Sequence, residues 1–299
     1  MTGNTPPLKT PLTPERDRAF VCDLMLKAVQ VRKQIVEMGH HSRIRLHYGA
    51  LMGMVEMVTL LYFHWLNVRP HDPGWPERDR FVLSKGHGVP SLYAVLAERG
   101  FFDKKHFDTF RRFGSILQGH PDRLKTPGVE TSSGSLGQGL GVACGMALGA
   151  KLDGALWRTY CLVGDGECNE GSIWEAAMIA GNQRLDRLTV LIDRNRKSSY
   201  GPMAGRCDIE PLVNKWCAFG WAVFEADGHD FYDLSQKLSQ ADAVEGKPSV
   251  IICHTVKGKG IPFVENYPVK PNILLTEEQY QECMDVLCCT EEGLRNGGG

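Results

Sequence analysis

The chain has 299 residues, a formal net charge of −1, and 42% hydrophobic against 23% charged side chains. Such a length buries most of its apolar surface in one large domain or two closely packed ones. The even charge balance gives no field that favours nucleic acid or an anionic membrane.

No apolar run approaches the length of a membrane span, and the opening MTGNTPPLKTPLTPERDRAF lacks the apolar core of a signal peptide. Ten cysteines without a regular framework or zinc spacing read as reduced, structural thiols of a cytoplasmic protein. In chain order, residues 1–13 are rich in Pro and Thr and are predicted extended or disordered. From Glu15 onward Phe20, Leu24, Ala28, Val31, Ile35 and Met38 mark one apolar face of a long helix, which Gly39 is expected to stop. A second helical pattern, too apolar for a surface, runs from about Met54 to Trp65. RFVLS (80–84) reads as a short buried strand leading into KGHG. Residues 137–152 are rich in Gly and Ala; glycine weakens an isolated helix, so its use there is close approach of the backbone to something else.

TYCLVG, then EGSIWEAAMIAGNQ with helical spacing at Ile173, Ala176, Ala177 and Ala180, then LTVLID (188–193), make a strand–helix–strand crossover with parallel strands. WAVFEAD (221–227) and SVIICHTV (249–256) are further strands, with a helix from about Tyr232 to Ala243 between them. The pattern predicts an α/β fold: a doubly wound, mostly parallel sheet with helices on both faces. That domain spans residues 14–270, and residues 271–299 form a C-terminal helix whose tail, TEEGLRNGGG, is expected to be disordered.

The turn VGDGECNEG (163–171) places two carboxylates, Asp165 and Glu167, directly after an apolar strand. Ligands of such sheets bind outside the C-terminal strand ends. Asp165 lies at one such end and Asn195, in IDRN, at the next, thirty positions on (195 − 165). Hard oxygen ligands of this kind suit Mg²⁺ that carries a diphosphate, and glycines 164, 166 and 171 admit its close approach. On these two residues alone the reading stands level with a plainer one, in which Asp165 caps the following helix and Asn195 sits in a turn. The glycines do not make G-x-G-x-x-G, and there is no P-loop.

GDGECNEGSIWEAAMIAGNQRLDRLTVLIDRN resembles the thiamine-diphosphate motif, GDG followed by a distant Asn, in the version used by transketolases. SKGHG (84–88), GHP (119–121) and GVETSSGSLGQGLG (128–141) are similar to further transketolase segments, in the same order. The resemblance runs from about residue 16 to 266, and the chain ends where the family's pyrimidine-binding domain would begin. It therefore looks like the N-terminal subunit of a split transketolase.

The resemblance implies that Asp165, Asn195 and the carbonyl of Lys197 bind Mg²⁺. It implies that Gly166 and His87 contact the diphosphate, and that Gly134 and Leu136 line the cofactor. Glu170 matches a buried glutamate that links cofactor sites across a subunit interface. His120 and His47 match the histidines on the substrate side, where an imidazole gives and takes protons near neutrality. There are departures. Ser135 and Tyr48 stand where the family has Pro, and Arg45 replaces a small residue. Arg43 and Arg45 either make the pocket more cationic or point to solvent. His40 and His41 are off register, and no histidine follows His254, where the family has one.

What the resemblance implies is transfer of a two-carbon ketol unit from an anionic ketose to an aldose. Thiamine diphosphate serves as electron sink. A C-terminal transketolase subunit would supply the pyrimidine-binding half, in a heterotetramer of two pairs. The alternatives are a subunit of a 1-deoxyxylulose-phosphate synthase-like or 2-oxo acid dehydrogenase-like enzyme, or a degenerate scaffold or regulatory subunit.

Overall fold

A proline in the first turn and the acidic pair Glu15 and Asp17 favour the start of α1 (Pro14–His41), a helix of 28 residues. A computed structural model describes it within residues 9–198, 201–205, 207–266 and 272–297. Residues 1–8, most of the segment predicted extended or disordered, lie outside the described residues. Residues 9–13 are irregular but packed: Leu12 is buried, its N–H donates to Ser235 Oγ (2.8 Å), and Lys9 pairs with Asp79.

Gly39 does not stop α1, which continues to His41. A Cβ there would collide with Tyr48 Oη, so this glycine serves helix packing rather than termination. The pattern over 54–65 is also divided. Helices α2 (Tyr48–Met52) and α3 (Val55–Leu60) are followed by a π-helical turn, Leu61–Trp65, all of it in the core apart from partly buried Phe63.

Strands β1 (Arg80–Leu83), β2 (Thr159–Gly164) and β3 (Leu188–Arg194) are joined through α4 (Val89–Arg99), α5 (Gln138–Asp153) and α6 (Gly171–Asn182). A small ribbon follows, β4 (Lys197–Ser198) against β5 (Gly201–Pro202). Then come α7 (Leu212–Ala218), β6 (Ala222–Asp227), α8 (Phe231–Asp242), β7 (Ser249–His254), α9 (Pro262–Glu265) and α10 (Glu277–Arg295). The main sheet is parallel throughout, in the order β1-β2-β3-β7-β6.

Alternate side chains along these strands enter two cores. Leu83, Leu162, Leu191 and Ile251 pack with α1, α3, α4 and α8, while Val82, Val163, Ile192 and Ile252 pack with α5, α6 and α7. The chain steps from β2 to β3 with α6 on one face, then returns from β6 to β7 with α8 on the other. Right-handed crossovers require that change of face. The reversal leaves a crevice at the carboxyl ends of β2, β3 and β7, where Gly164, Asp193 and Cys253 stand in register.

Helix α10 begins with a capping box, Thr276 and Gln279, and buries Cys283 and Leu287 against the body. It runs on to Arg295, where Glu291 pairs with Lys33 (2.6 Å) and Arg295 (2.7 Å). The tail predicted disordered from Thr290 is thus helical as far as Arg295, because two cations hold its last turns; residues 298–299 lie outside the described residues.

The glycines of α5 divide by surroundings. A Cβ on Gly139 would fall 2.6 Å from Ser84 Cα, whereas Gly141 faces open space. Gly139→Ala should therefore lower stability by about 1–3 kcal/mol through overpacking against the turn after β1. Gly141→Ala should raise it by about 1 kcal/mol through helix propensity. Urea unfolding of the two variants, which differ by one methyl group two positions apart, checks both signs.

Candidate functional site

The turn after β1 carries SKGHG. Gly86 is required there, since a Cβ would lie 2.9 Å from the carbonyl oxygen of Ser133. Lys85 turns under the sheet ends, donates to Ala50 O (3.1 Å) and pairs with Asp193 at the end of β3. Both are buried, at 2% and 0% exposure. Burial pushes the Asp193 carboxyl up, but the Lys85 ammonium, with the Thr255 hydroxyl, outweighs it and holds the group below its usual range.

The acidic turn has internal partners for both carboxylates. Glu167 Oε1 accepts from Ser84 Oγ (2.5 Å) and the Gly137 N–H (2.8 Å), and Oε2 accepts from the Gly164 N–H (3.0 Å). Asp165 Oδ1 accepts the Gly166 N–H (2.7 Å), and Oδ2 accepts the Arg196 N–H (2.6 Å) and Arg194 Nη1 (3.2 Å). Burial pushes the Asp165 carboxyl up, the negative charge of Asp193 adds to this, and the backbone donors and Arg194 oppose it. Arg194 is itself clamped by Glu210.

A cavity of about 230 Å³ at the strand ends gathers the expected cofactor and metal residues His87, Leu136, Asp165, Gly166, Asn195 and Lys197, with His47 at its edge. Gly134 and Glu170 are not among its walls. Gly134 sits in the loop beside His120, whose Cδ2 would be 3.5 Å from a Cβ there. Glu170, expected as a buried acid, is exposed at the N-cap of α6 in this chain; the buried, fully bonded glutamate of the turn is Glu167. His40 stacks on Tyr280, and Arg43 lies away from the cavities that Arg45 and His47 line.

Among the cavity residues that were not singled out from the sequence are Asp193 and Lys257. Lys257 follows Thr255 past the end of β7 and donates to the carbonyls of Lys197 and Ser198 (both 3.0 Å). Burial pushes its pKa down. The KGKG run was the available signal: its glycines, at φ of +91° and +89°, turn the chain back so that this lysine enters the cavity. His254, the last histidine, instead pairs outside with Glu225 (2.7 Å). His47 and His87 meet edge to face at 5.1 Å between ring centroids. The His87 pKa falls to about 3, first through burial and then through the nearby cations Lys85 and Lys257 and the other two imidazoles.

Comparison with known proteins agrees with this geometry. Residues 40–278 match the family described as transketolase, thiamine diphosphate binding domain. The chain is 45% identical over 235 residues to the 6-deoxy-6-sulfo-D-fructose transketolase subunit SqwG of Clostridium sp. (strain MSTE9), covering 79% of this chain and 86% of that one. It is 41% identical over 261 residues to an apulose-4-phosphate transketolase subunit of Phocaeicola vulgatus, covering 87% and 92%. The solved transketolase of Leishmania mexicana superposes with a TM-score of 0.79 at 30% identity, over 92% of this chain and 45% of that chain. This chain therefore spans slightly less than half of that transketolase.

Two outcomes follow from the electrostatics. Lys85→Met leaves Asp193 buried without its cation, so stability should fall by about 3–5 kcal/mol in chemical denaturation. For His87, the unfolded chain takes up the proton that the fold refuses. Stability should thus decline as pH drops from about 6.5 toward about 3. His87→Gln should remove about 2 kcal/mol of the decline between about pH 7 and about pH 5, measured as the difference in unfolding free energy against the parent chain. A parallel strand edge that presents Asp165, Asn195 and two lysines, together with the match over 40–278, identifies the chain as a member of the transketolase family in its thiamine-diphosphate-binding domain.

Proposed function

We propose that this chain is the N-terminal, diphosphate-binding subunit of a two-subunit transketolase. It moves a two-carbon ketol unit from an anionic ketose to an aldose. The observation that carries the reading is the convergence of Asp165, Asn195, Lys197, Lys257 and His87 in one cavity, on a chain 41% and 45% identical to proteins named as transketolase subunits. Those relatives act, by their names, on a sulfonated and a phosphorylated sugar, which supports an anionic substrate.

The residues present fit Mg²⁺ and a diphosphate. One carboxylate, one amide oxygen and one backbone carbonyl form a hard but sparse donor set, which leaves room for phosphate oxygens and water. The Lys197 carbonyl accepts from Lys257 Nζ; were that oxygen to hold a cation instead, the Lys257 ammonium would be available to the diphosphate. Lys257 thus supplies a positive charge where the family's later histidine is missing. Thiamine diphosphate supplies the electron sink for breaking and making the carbon–carbon bond. Around it this chain binds, orients and exchanges protons. His87 stays uncharged and donates a hydrogen bond without adding charge. His47 and His120 stand toward the substrate and can move protons at its hydroxyl groups.

A partner carrying the pyrimidine-binding half completes the site, and two pairs assemble as a heterotetramer. In support, α5 and α6 present Val142, Leu152, Met178 and Ile179 to solvent, large apolar side chains of the kind proteins cover with a neighbour. The partner's approach would also give Glu170 the buried setting expected of it. All ten cysteines are unpaired, in keeping with a cytoplasmic protein, and no described helix is long and apolar enough to cross a membrane.

The test is the complex isolated from the native host. A second polypeptide of similar size, with about one thiamine diphosphate and one Mg²⁺ per pair, and ketol transfer between sugars are the expected result. Asp165→Asn should weaken calorimetric binding of thiamine diphosphate with Mg²⁺ by at least about 10-fold in a chain that circular dichroism shows still folded; unchanged affinity rejects the metal assignment. His120→Ala should lower kcat about 100-fold with cofactor content unchanged, and loss of cofactor instead would move His120 into the cofactor shell.

A further inference from the structure

Two carboxylates lining the cofactor cavity are each paired with a buried cation, Asp193 with Lys85 and Asp165 with Arg194. The two pairs differ in place. Lys85 is part of the cavity wall, whereas Arg194 is not among the lining residues. Strand alternation gives the reason. Arg194 follows Val190 and Ile192 on β3 toward the face covered by α5, α6 and α7, so its guanidinium meets Asp165 from behind. The contact spans 3.2 Å, and Arg194 is only 6% exposed.

The donors already on Asp165 determine what it can still bind. Oδ1 accepts the Gly166 N–H, while Oδ2 accepts Arg194 Nη1 and the Arg196 N–H, which a left-handed backbone at Arg196 (φ +61°) aims at it. A carboxylate has about four acceptor positions, so the room left for a cation is on Oδ1. Such a cation meets a carboxylate whose charge a guanidinium already offsets. Glu210 pairs with Arg194 in turn, but its side chain is 48% exposed, and water screens its charge far more than those of the buried pair.

We propose that Arg194 is a positioning residue that holds Asp165 and offsets its charge, so that a divalent cation binds here weakly alone and firmly only together with a diphosphate. Arg194 repels a bare cation. A cation that bears a diphosphate brings no net positive charge, and Arg194 does not oppose it. Residues that touch a metal ligand rather than the metal commonly set the affinity of the site. This inference rests on the transketolase reading of Asp165 and adds to it that cation and diphosphate fill the site as a unit.

The complex of chain and partner, freed of cofactor, is titrated with Mn²⁺, an ion that takes the same oxygen ligands, with and without saturating thiamine diphosphate. Free Mn²⁺ is read by electron paramagnetic resonance. In the wild type Mn²⁺ should bind at least about 10-fold more weakly alone than with thiamine diphosphate. Arg194→Met should bind Mn²⁺ alone about 10-fold more tightly and change little when thiamine diphosphate is present. Glu210→Gln keeps an acceptor for the Leu212 N–H (2.8 Å) but removes the charge that tempers Arg194, so it should weaken binding of Mn²⁺ alone. Opposite signs in the two variants mark control by charge, since a purely structural role would weaken binding in both. Equal wild-type affinity in the two arms, or unchanged or weaker binding of Mn²⁺ alone in Arg194→Met, overturns the proposal. Should Arg194→Met not fold, Glu210→Gln decides. Weaker binding of Mn²⁺ alone, with binding beside thiamine diphosphate unchanged, upholds the proposal; no change, or equal weakening in both arms, rejects it. If the wild type holds no Mn²⁺ even with thiamine diphosphate, the metal reading of Asp165 fails and the proposal falls with it.

Discussion

The buried pair of Lys85 and Asp193 is the contact on which the crevice depends. Placing two charges where neither meets water costs several kcal/mol per ion, and that cost is offset only by close pairing with every remaining donor and acceptor satisfied. Here both ions have such further partners. Lys85 also reaches the Ala50 carbonyl, and Asp193 also accepts from Thr255. The four residues come from the turn after β1, the end of β3, the segment past β7, and α2. One ion pair therefore ties together the parts of the chain that form the cavity, and it fixes how far apart they stand.

The same pair governs the charge inside the cavity. Asp193 would otherwise repel Asp165, and that repulsion already helps push the Asp165 carboxyl up. Glu167 is held by one hydroxyl and two backbone donors, so it needs no outside cation. The acidic turn is therefore organised before any ligand arrives. Lys257 differs: among the described residues its ammonium donates to two carbonyl oxygens, and burial pushes its pKa down. Such a cation gains from an incoming anion more than it loses in leaving neutral acceptors, because the anion adds the attraction of a full opposite charge in a site shielded from water.

Much of this was legible in the sequence. The five main strands follow from apolar runs of the right length, and the meeting of Asp165 with Asn195 follows from their places at adjacent strand ends. Other features were hidden for definite reasons. Gly39 reads as a stop from local propensity, yet its need comes from Tyr48, nine positions on (48 − 39), which only the packed fold brings against it. Glu167 and Glu170 sit in one acidic turn, and sequence cannot tell which faces inward; the hydroxyl of Ser84 decides it, eighty-three positions away (167 − 84). The tail looked too polar to order itself, but Lys33 on α1 gives Glu291 a partner.

Lys257 reaches the cavity only because the loop that carries it is held from behind. A Cβ on Gly258 would lie 2.7 Å from Val264, and one on Gly260 would lie 3.0 Å from Arg32, so the turn tolerates no side chain at either point. The Val256 N–H donates to His229 Nε2 (2.8 Å), which places the ring hydrogen on Nδ1, toward Glu56 (3.0 Å). Glu56 in turn accepts from Arg32 (2.7 Å), and Arg32 Nε donates to the Lys259 carbonyl (3.0 Å). Burial pushes the Glu56 carboxyl up, but Arg32 and His229 bring it below its usual range. It thus stays ionised and keeps both partners oriented. A chain of hydrogen bonds from α1 and α3 thereby positions a charge at the sheet's edge, and the helices on one face of the fold take part in binding without touching the ligand.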